Sequence, residues 1–189
     1  MPPRIRILDH HDSFTHNLAS LLSELGASVE VSPFDGQPWR ILPYDTAVVL
    51  SPGPGHPKEY PQSIDLVRSC ERPLLGICLG LQLMVTAFGG HVIPAREPHH
   101  GRIDSVAHAG SALFHGIPSP FSVVRYHSLV ADMDAFPSDL EISARSTNAP
   151  EIMAIAHRSR AIQAVQFHPE SFRTDHGKTL ISNWLRTLA

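Results

Sequence analysis

The chain has 189 residues, 42% of them hydrophobic and 17% charged. That composition fits one globular domain with enough apolar surface for a sizeable core. The formal net charge is −3, so no basic excess exists to hold a polyanion, and nucleic-acid binding is not expected as the main activity. Two cysteines make no disulfide framework, which points to a reducing, cytoplasmic compartment. The start of the chain is too short and too polar for a secretory signal, and no apolar run is long enough to span a bilayer, so no membrane role is expected.

Residues 5–8 form a short apolar run that ends at Asp9, a buried-strand pattern. In residues 12–25, Phe14, Leu18, Leu21, Leu22 and Leu25 share one helical face. Asp12 or Ser13 can cap that helix and Gly26 can end it. Strands are expected at 28–32, 46–50 and 73–77. A helix is expected over 64–70 with Cys70 on its apolar side, and another over 79–88, stopped by Gly89-Gly90. This alternation argues for a parallel sheet covered by helices. After residue 90 the runs at 101–108, 121–130, 141–146, 152–157 and 161–167 are β-like and short. They suggest antiparallel additions. Thr174 or Asp175 then opens a closing helix to about residue 188. There is no repeat and no internal domain boundary.

Gly76-Ile-Cys-Leu-Gly80 lies between an apolar strand and a helix. It has the form of a nucleophile elbow with Cys in place of Ser, the flanking glycines allowing a sharp turn that leaves Cys78 exposed at the strand end. A helix N-terminus aimed at the sulfur favours the thiolate and stabilises an oxyanion. Taken alone, Cys78 also reads as a small apolar core residue. A partner follows in Gln166-Phe-His-Pro-Glu-Ser171. Pro169 keeps His168 extended, and residues two apart in an extended chain point the same way, so His168 and Glu170 can project together. A His base oriented by a carboxylate is the triad arrangement applied to a thiol. By itself the segment reads as a solvated strand end.

Ser51-Pro-Gly-Pro-Gly55 follows a buried strand, and it can offer the Gly53 N–H to an oxyanion opposite the Leu79 N–H. In isolation it is a stiff turn. The adjacent pairs His10-His11 and His99-His100 point apart, and no His, Cys and Asp set has zinc spacing, so no metal and no cofactor are expected. Cys70 reads as packing. No phosphate loop is present.

Ser51-Pro-Gly-Pro-Gly55, Gly76-Ile-Cys-Leu-Gly-Leu-Gln82, Arg125-Tyr-His-Ser-Leu129 and Gln166-Phe-His-Pro-Glu-Ser171 together resemble the class I (triad) glutamine amidotransferases. They occur in family order and span nearly the whole chain. Asp12-Ser-Phe-Thr-His-Asn17 and the 125–129 segment look like the branch that serves chorismate-aminating synthases. The resemblance implies an α/β, class I glutamine amidotransferase-like fold over residues 1–189: a central, mostly parallel sheet flanked by helices with additional antiparallel strands. It implies Cys78 as nucleophile, His168 as base and acid, and Glu170 as orienting carboxylate. Gly53 and Leu79 would supply the oxyanion hole. Gly55, Gln82, Ser128 and Leu129 would bind L-glutamine.

The implied activity is hydrolysis of glutamine to glutamate and ammonia. The ammonia would pass to a separate chorismate-utilising synthase large subunit in a heteromer, since nothing in this chain looks like a chorismate site. Gly116-Ile-Pro-Ser-Pro-Phe121 and Glu151-Ile-Met-Ala-Ile-Ala-His-Arg158 lean towards aminodeoxychorismate synthase. Anthranilate synthase, or one glutaminase shared by both, is the alternative, and a non-catalytic regulatory module is the reading of a different class. His11 and His16 stand where the branch usually has aromatic residues, Leu81 where it often has His or Met, and Arg102 where it often has Lys.

Overall fold

A computed structural model describes residues 1–36, 42–110 and 112–188. Five strands run parallel: β1 (Arg4–Asp9), β2 (Ser28–Pro33), β3 (Thr46–Leu50), β4 (Leu74–Ile77) and β11 (Ile162–Val165). Beyond β11 the sheet continues antiparallel through β10 (Ile152–His157), β9 (Leu140–Ser146), β6 (Arg102–His108) and β7 (Phe121–Arg125). The order is β2-β1-β3-β4-β11-β10-β9-β6-β7. A separate two-stranded ribbon pairs β5 (Val92–Pro94) with β8 (Leu129–Ala131).

The central strands are buried on both faces, so they read as continuous apolar runs rather than alternating ones. In β3, Ala47 and Val49 face one core while Val48 and Leu50 face the other. Helices α1 (Thr15–Glu24) and α4 (Gly177–Arg186) close the first core with Leu18, Leu22, Leu180, Ile181 and Trp184. Helices α2 (Pro61–Ser69) and α3 (Leu79–Ala87) close the second with Ile64, Leu66, Val67, Leu83 and Met84. Cys70 ends α2 inside the second core, and burial raises its thiol pKa, as suits a packing residue.

Three expectations need correction. The run at 121–130 is two strands, because β7 joins the large sheet while β8 leaves it to pair with β5; residues 126–128 cross between them. The three-residue β5 is too short to show a period. Neither Thr174 nor Asp175 caps α4. His176, in the left-handed region at φ 58°, precedes that helix. The Thr174 hydroxyl instead donates to the His168 carbonyl, 2.7 Å, and accepts from the Val124 N–H, 3.1 Å. At α1 the residue before the first turn is Phe14, with no side-chain cap; Asp12 accepts from the Phe14 N–H, 2.7 Å.

Candidate active site

Cys78 sits between the end of β4 and the start of α3, with φ 53° and ψ −99°. Holding a non-glycine residue there costs on the order of 1–3 kcal/mol. The strain lies in the cysteine rather than in its glycines, whose task is close approach. A Cβ on Gly76 would stand 2.6 Å from the Gly80 carbonyl carbon, and one on Gly80 would stand 2.8 Å from the Leu50 carbonyl oxygen. Absent side chains therefore let α3 begin directly against β3 and β4. Cys78 is only 5% exposed, so the expectation of an exposed thiol is corrected: the residue lies in the wall of a cavity of about 130 Å³. Its N–H donates to the Val165 carbonyl, 2.8 Å, which fixes it to β11. The first N–H groups of α3, that of Leu79 among them, have no acceptor within the helix.

His168 follows β11, and its Nδ1 lies 2.6 Å from Glu170 Oε1. Both side chains are buried. The two-residue period of an extended chain is not what joins them. The Ser171 N–H donates to the His168 carbonyl, 3.3 Å, and closes a turn with Pro169 at its second position, where proline fits. The His168 N–H donates to the Val124 carbonyl, 3.2 Å. Phe14 and Tyr126 pack on the ring at 5.2 and 5.3 Å. Burial is the largest single influence on His168 and opposes its charge. The Glu170 charge and its hydrogen bond to the ring, with the nearby Cys78, outweigh it and hold the imidazole well above its ordinary pKa. A buried base between a carboxylate and a thiol is equipped to take the thiol proton and keep it.

The cavity is lined by Gly53, Gly55, Cys78, Gln82, Ser128 and Leu129, together with Pro54, Tyr126 and His127. The structure thus gathers every residue assigned to glutamine binding around the cysteine. A Cβ on Gly53 would stand 2.5 Å from Leu79 Cδ2 and 2.7 Å from His10 Cβ, so this backbone lies against the start of α3. Gly55 has φ 75°, a conformation suited to glycine. Tyr60 Oη donates to the Pro54 carbonyl, 2.8 Å.

Two residues without a sequence-derived role prove central. Gln166 Nε2 donates to Cys78 Sγ, 3.6 Å, and Gln166 Oε1 accepts from Gln82 Nε2, 3.4 Å. Its place at the head of the Gln166–Ser171 motif was the available signal. His10, set aside with the other histidines, is fully buried under the 51–55 loop. Its N–H donates to Ser51 Oγ, 2.8 Å, and its Nε2 lies 2.8 Å from Ser63 Oγ. Among the described residues no group of three or more His, Cys, Asp or Glu is placed to hold a metal ion.

Residues 6–188 match the family described as Glutamine amidotransferase class-I. The chain belongs to the class-I glutamine amidotransferase family. It is 39% identical to anthranilate synthase component 2 of Leptospira biflexa, over 97% of this chain and all of that one. It is 40% identical to aminodeoxychorismate synthase component 2 of Escherichia coli K12, over 96% of this chain and 98% of that one. Among solved structures, a putative GMP synthase protein from Thermoplasma acidophilum superposes with a TM-score of 0.89 at 27% identity, covering 100% of this chain and 94% of that one. The α/β amidotransferase fold expected from the motifs is therefore the fold present. No helix among the described residues is long and apolar enough to cross a membrane.

Proposed function

We propose that residues 1–189 act as one glutaminase domain and deliver ammonia to a chorismate-aminating synthase. Cys78 is the nucleophile, His168 the base and acid, and Glu170 its orienting carboxylate. His168 takes the thiol proton, and the thiolate forms a bond to the side-chain amide carbon of glutamine. The Gly53 and Leu79 N–H groups receive the oxyanion, a role supported by the close approach of the Gly53 backbone to the Leu79 side chain at the start of α3. His168 returns its proton to the amide nitrogen as the C–N bond breaks, so ammonia leaves and a γ-glutamyl thioester remains. Water, deprotonated by His168, cleaves the thioester to glutamate and restores the thiol.

Gly55, Gln82, Ser128 and Leu129 hold the amino-acid end of the substrate. The observation that carries this reading is the buried His168–Glu170 pair, 2.6 Å apart, beside a strained cysteine in the wall of a small polar cavity.

The partner is a chorismate-utilising synthase large subunit in a heteromer, aminodeoxychorismate synthase by the sequence of residues 116–121 and 151–158. Anthranilate synthase is the second reading, because relatives of both names stand at about equal identity. Both cysteines are free, which supports a reducing, cytoplasmic setting. The test pairs the chain with each synthase in turn and assays amination from glutamine and from ammonium salt. Cys78→Ala should abolish the glutamine-dependent reaction and leave the ammonia-dependent one. Unchanged glutamine-dependent amination in that variant refutes the triad assignment. Recovery of only an anthranilate synthase large subunit from the native host overturns the first choice of partner.

A further inference from the structure

Beneath the Ser128–Leu129 wall of the cavity lies a buried polar chain that the triad does not use. Arg125, at the end of β7, is 1% exposed. One arm of its guanidinium donates to Asp104 Oδ2, 2.6 Å, another to Glu151, and its Nε donates to His127 Nε2, 3.0 Å. An arginine Nε–H is always a donor, so His127 Nε2 must be an unprotonated acceptor. The remaining proton of the neutral ring then sits on Nδ1, which lies 2.9 Å from the Leu129 carbonyl and can only donate to it. That carbonyl also accepts from Gln82 Nε2, 3.1 Å, which fills both of its acceptor sites. The neighbouring carbonyls are held as well: His127 accepts from the His99 N–H, 2.9 Å, and Ser128 from the Ala95 N–H, 2.8 Å.

We propose that Arg125 and His127 are a positioning pair for the substrate cavity: Arg125 fixes the His127 ring in its Nδ1–H form, and that ring, with Gln82, clamps the Leu129 carbonyl so that the Ser128–Leu129 wall keeps its shape when the substrate enters. The inference rests on the glutaminase reading above and adds a role for residues that reading leaves idle. Among the described residues His127 makes no hydrogen bond to Cys78 or His168, so its effect falls on substrate affinity rather than on the bond-making step. The arrangement is also hard to invert. A second proton on the His127 ring would set an N–H against the Arg125 N–H, and burial followed by the Arg125 charge lowers the His127 pKa to about 3.

Isosteric variants separate the two ring nitrogens. His127→Asn places an amide N–H near the Nδ1 position and abandons Arg125. His127→Gln keeps an acceptor near the Nε2 position and loses the donor to Leu129. The probe is a glutamine-analogue chloroketone that alkylates Cys78, read by mass spectrometry as a limiting rate and a half-saturating concentration. Loss of one buried hydrogen bond should raise the half-saturating concentration of His127→Gln about tenfold, with the limiting rate within about threefold of the parent. His127→Asn should keep both values within about threefold. Arg125→Lys, which retains a charge between Asp104 and Glu151 but has no Nε–H, should shift the half-saturating concentration in the same direction as His127→Gln.

Equal losses in rate and affinity for His127→Gln overturn the proposal, as does a His127→Asn variant no better than His127→Gln, or an unchanged Arg125→Lys. A parent chain that the reagent does not label at Cys78 overturns the glutaminase reading, and the proposal with it.

Discussion

Lowering the pH should destabilise this protein through His10. The ring is fully buried, stacked on Phe34 at 5.1 Å and edge-on to Tyr60 at 5.2 Å. Burial, opposed by the nearby Asp9 charge, takes its pKa from 6.5 to about 4. In the unfolded chain the imidazole has its ordinary value near 6.5. Between the two values the unfolded state binds more protons, so stability falls as pH drops through about 6.5 and levels off below about 4. At about 1.4 kcal/mol per pH unit, going from roughly pH 7.5 to pH 5 removes about 2 kcal/mol. For a chain of this length that is roughly 4–8 °C in Tm. Urea unfolding of the parent and of His10→Asn at both pH values isolates the effect. His127, lowered to about 3 by burial and then by the Arg125 charge, contributes equally to both proteins and cancels. The variant should lose about 2 kcal/mol less than the parent over this range. Equal losses in the two proteins would refute the reasoning.

Glu170→Gln removes the charge that, after the opposing effect of burial, most raises the His168 pKa. Its glutaminase kcat/KM should fall about a hundredfold, and the pH limb set by His168 should move to lower pH; an unmoved profile contradicts the assignment. Gly80→Ala drives a methyl group to 2.8 Å from the Leu50 carbonyl oxygen, a backbone atom that cannot swing away. It should cost roughly 1–3 kcal/mol in urea unfolding, and an unchanged midpoint would show that the close approach of α3 to β3 is not tight.

Much of the fold was legible because the central strands of the sheet are apolar on both faces. Residues 46–50 and 152–157 read as strands with the bounds they have in the structure. The short pieces were not legible. β5 and β8 are three residues each, below the length at which a period shows, and their pairing is what splits the 121–130 run. Capping at α4 misled because Thr174, a residue suited to a cap, is used to hold the His168 backbone. In the site, Cys78, His168 and Glu170 were readable from local motifs. The reasons offered for their geometry were partly wrong: the strain sits at Cys78 itself, and a turn through Pro169 brings His168 and Glu170 together. His10 carries no local signature, and Arg125 and Gln166, though each heads a motif, have no role readable from their neighbours in sequence. Their partners lie 41, 21 and 88 residues away, at Ser51, Asp104 and Cys78 respectively, and only the fold brings them into contact.

The central claim is covalent chemistry at Cys78. It is tested most directly by quenching the chain in acid during turnover of glutamine, in the presence of its synthase, and mapping the modified peptide by mass spectrometry. A γ-glutamyl adduct on the peptide holding Cys78, absent when glutamate replaces glutamine and absent in Cys78→Ala, is the expected result. Glutamate release at full rate from Cys78→Ala, or an adduct on Cys70 in place of Cys78, would contradict the account.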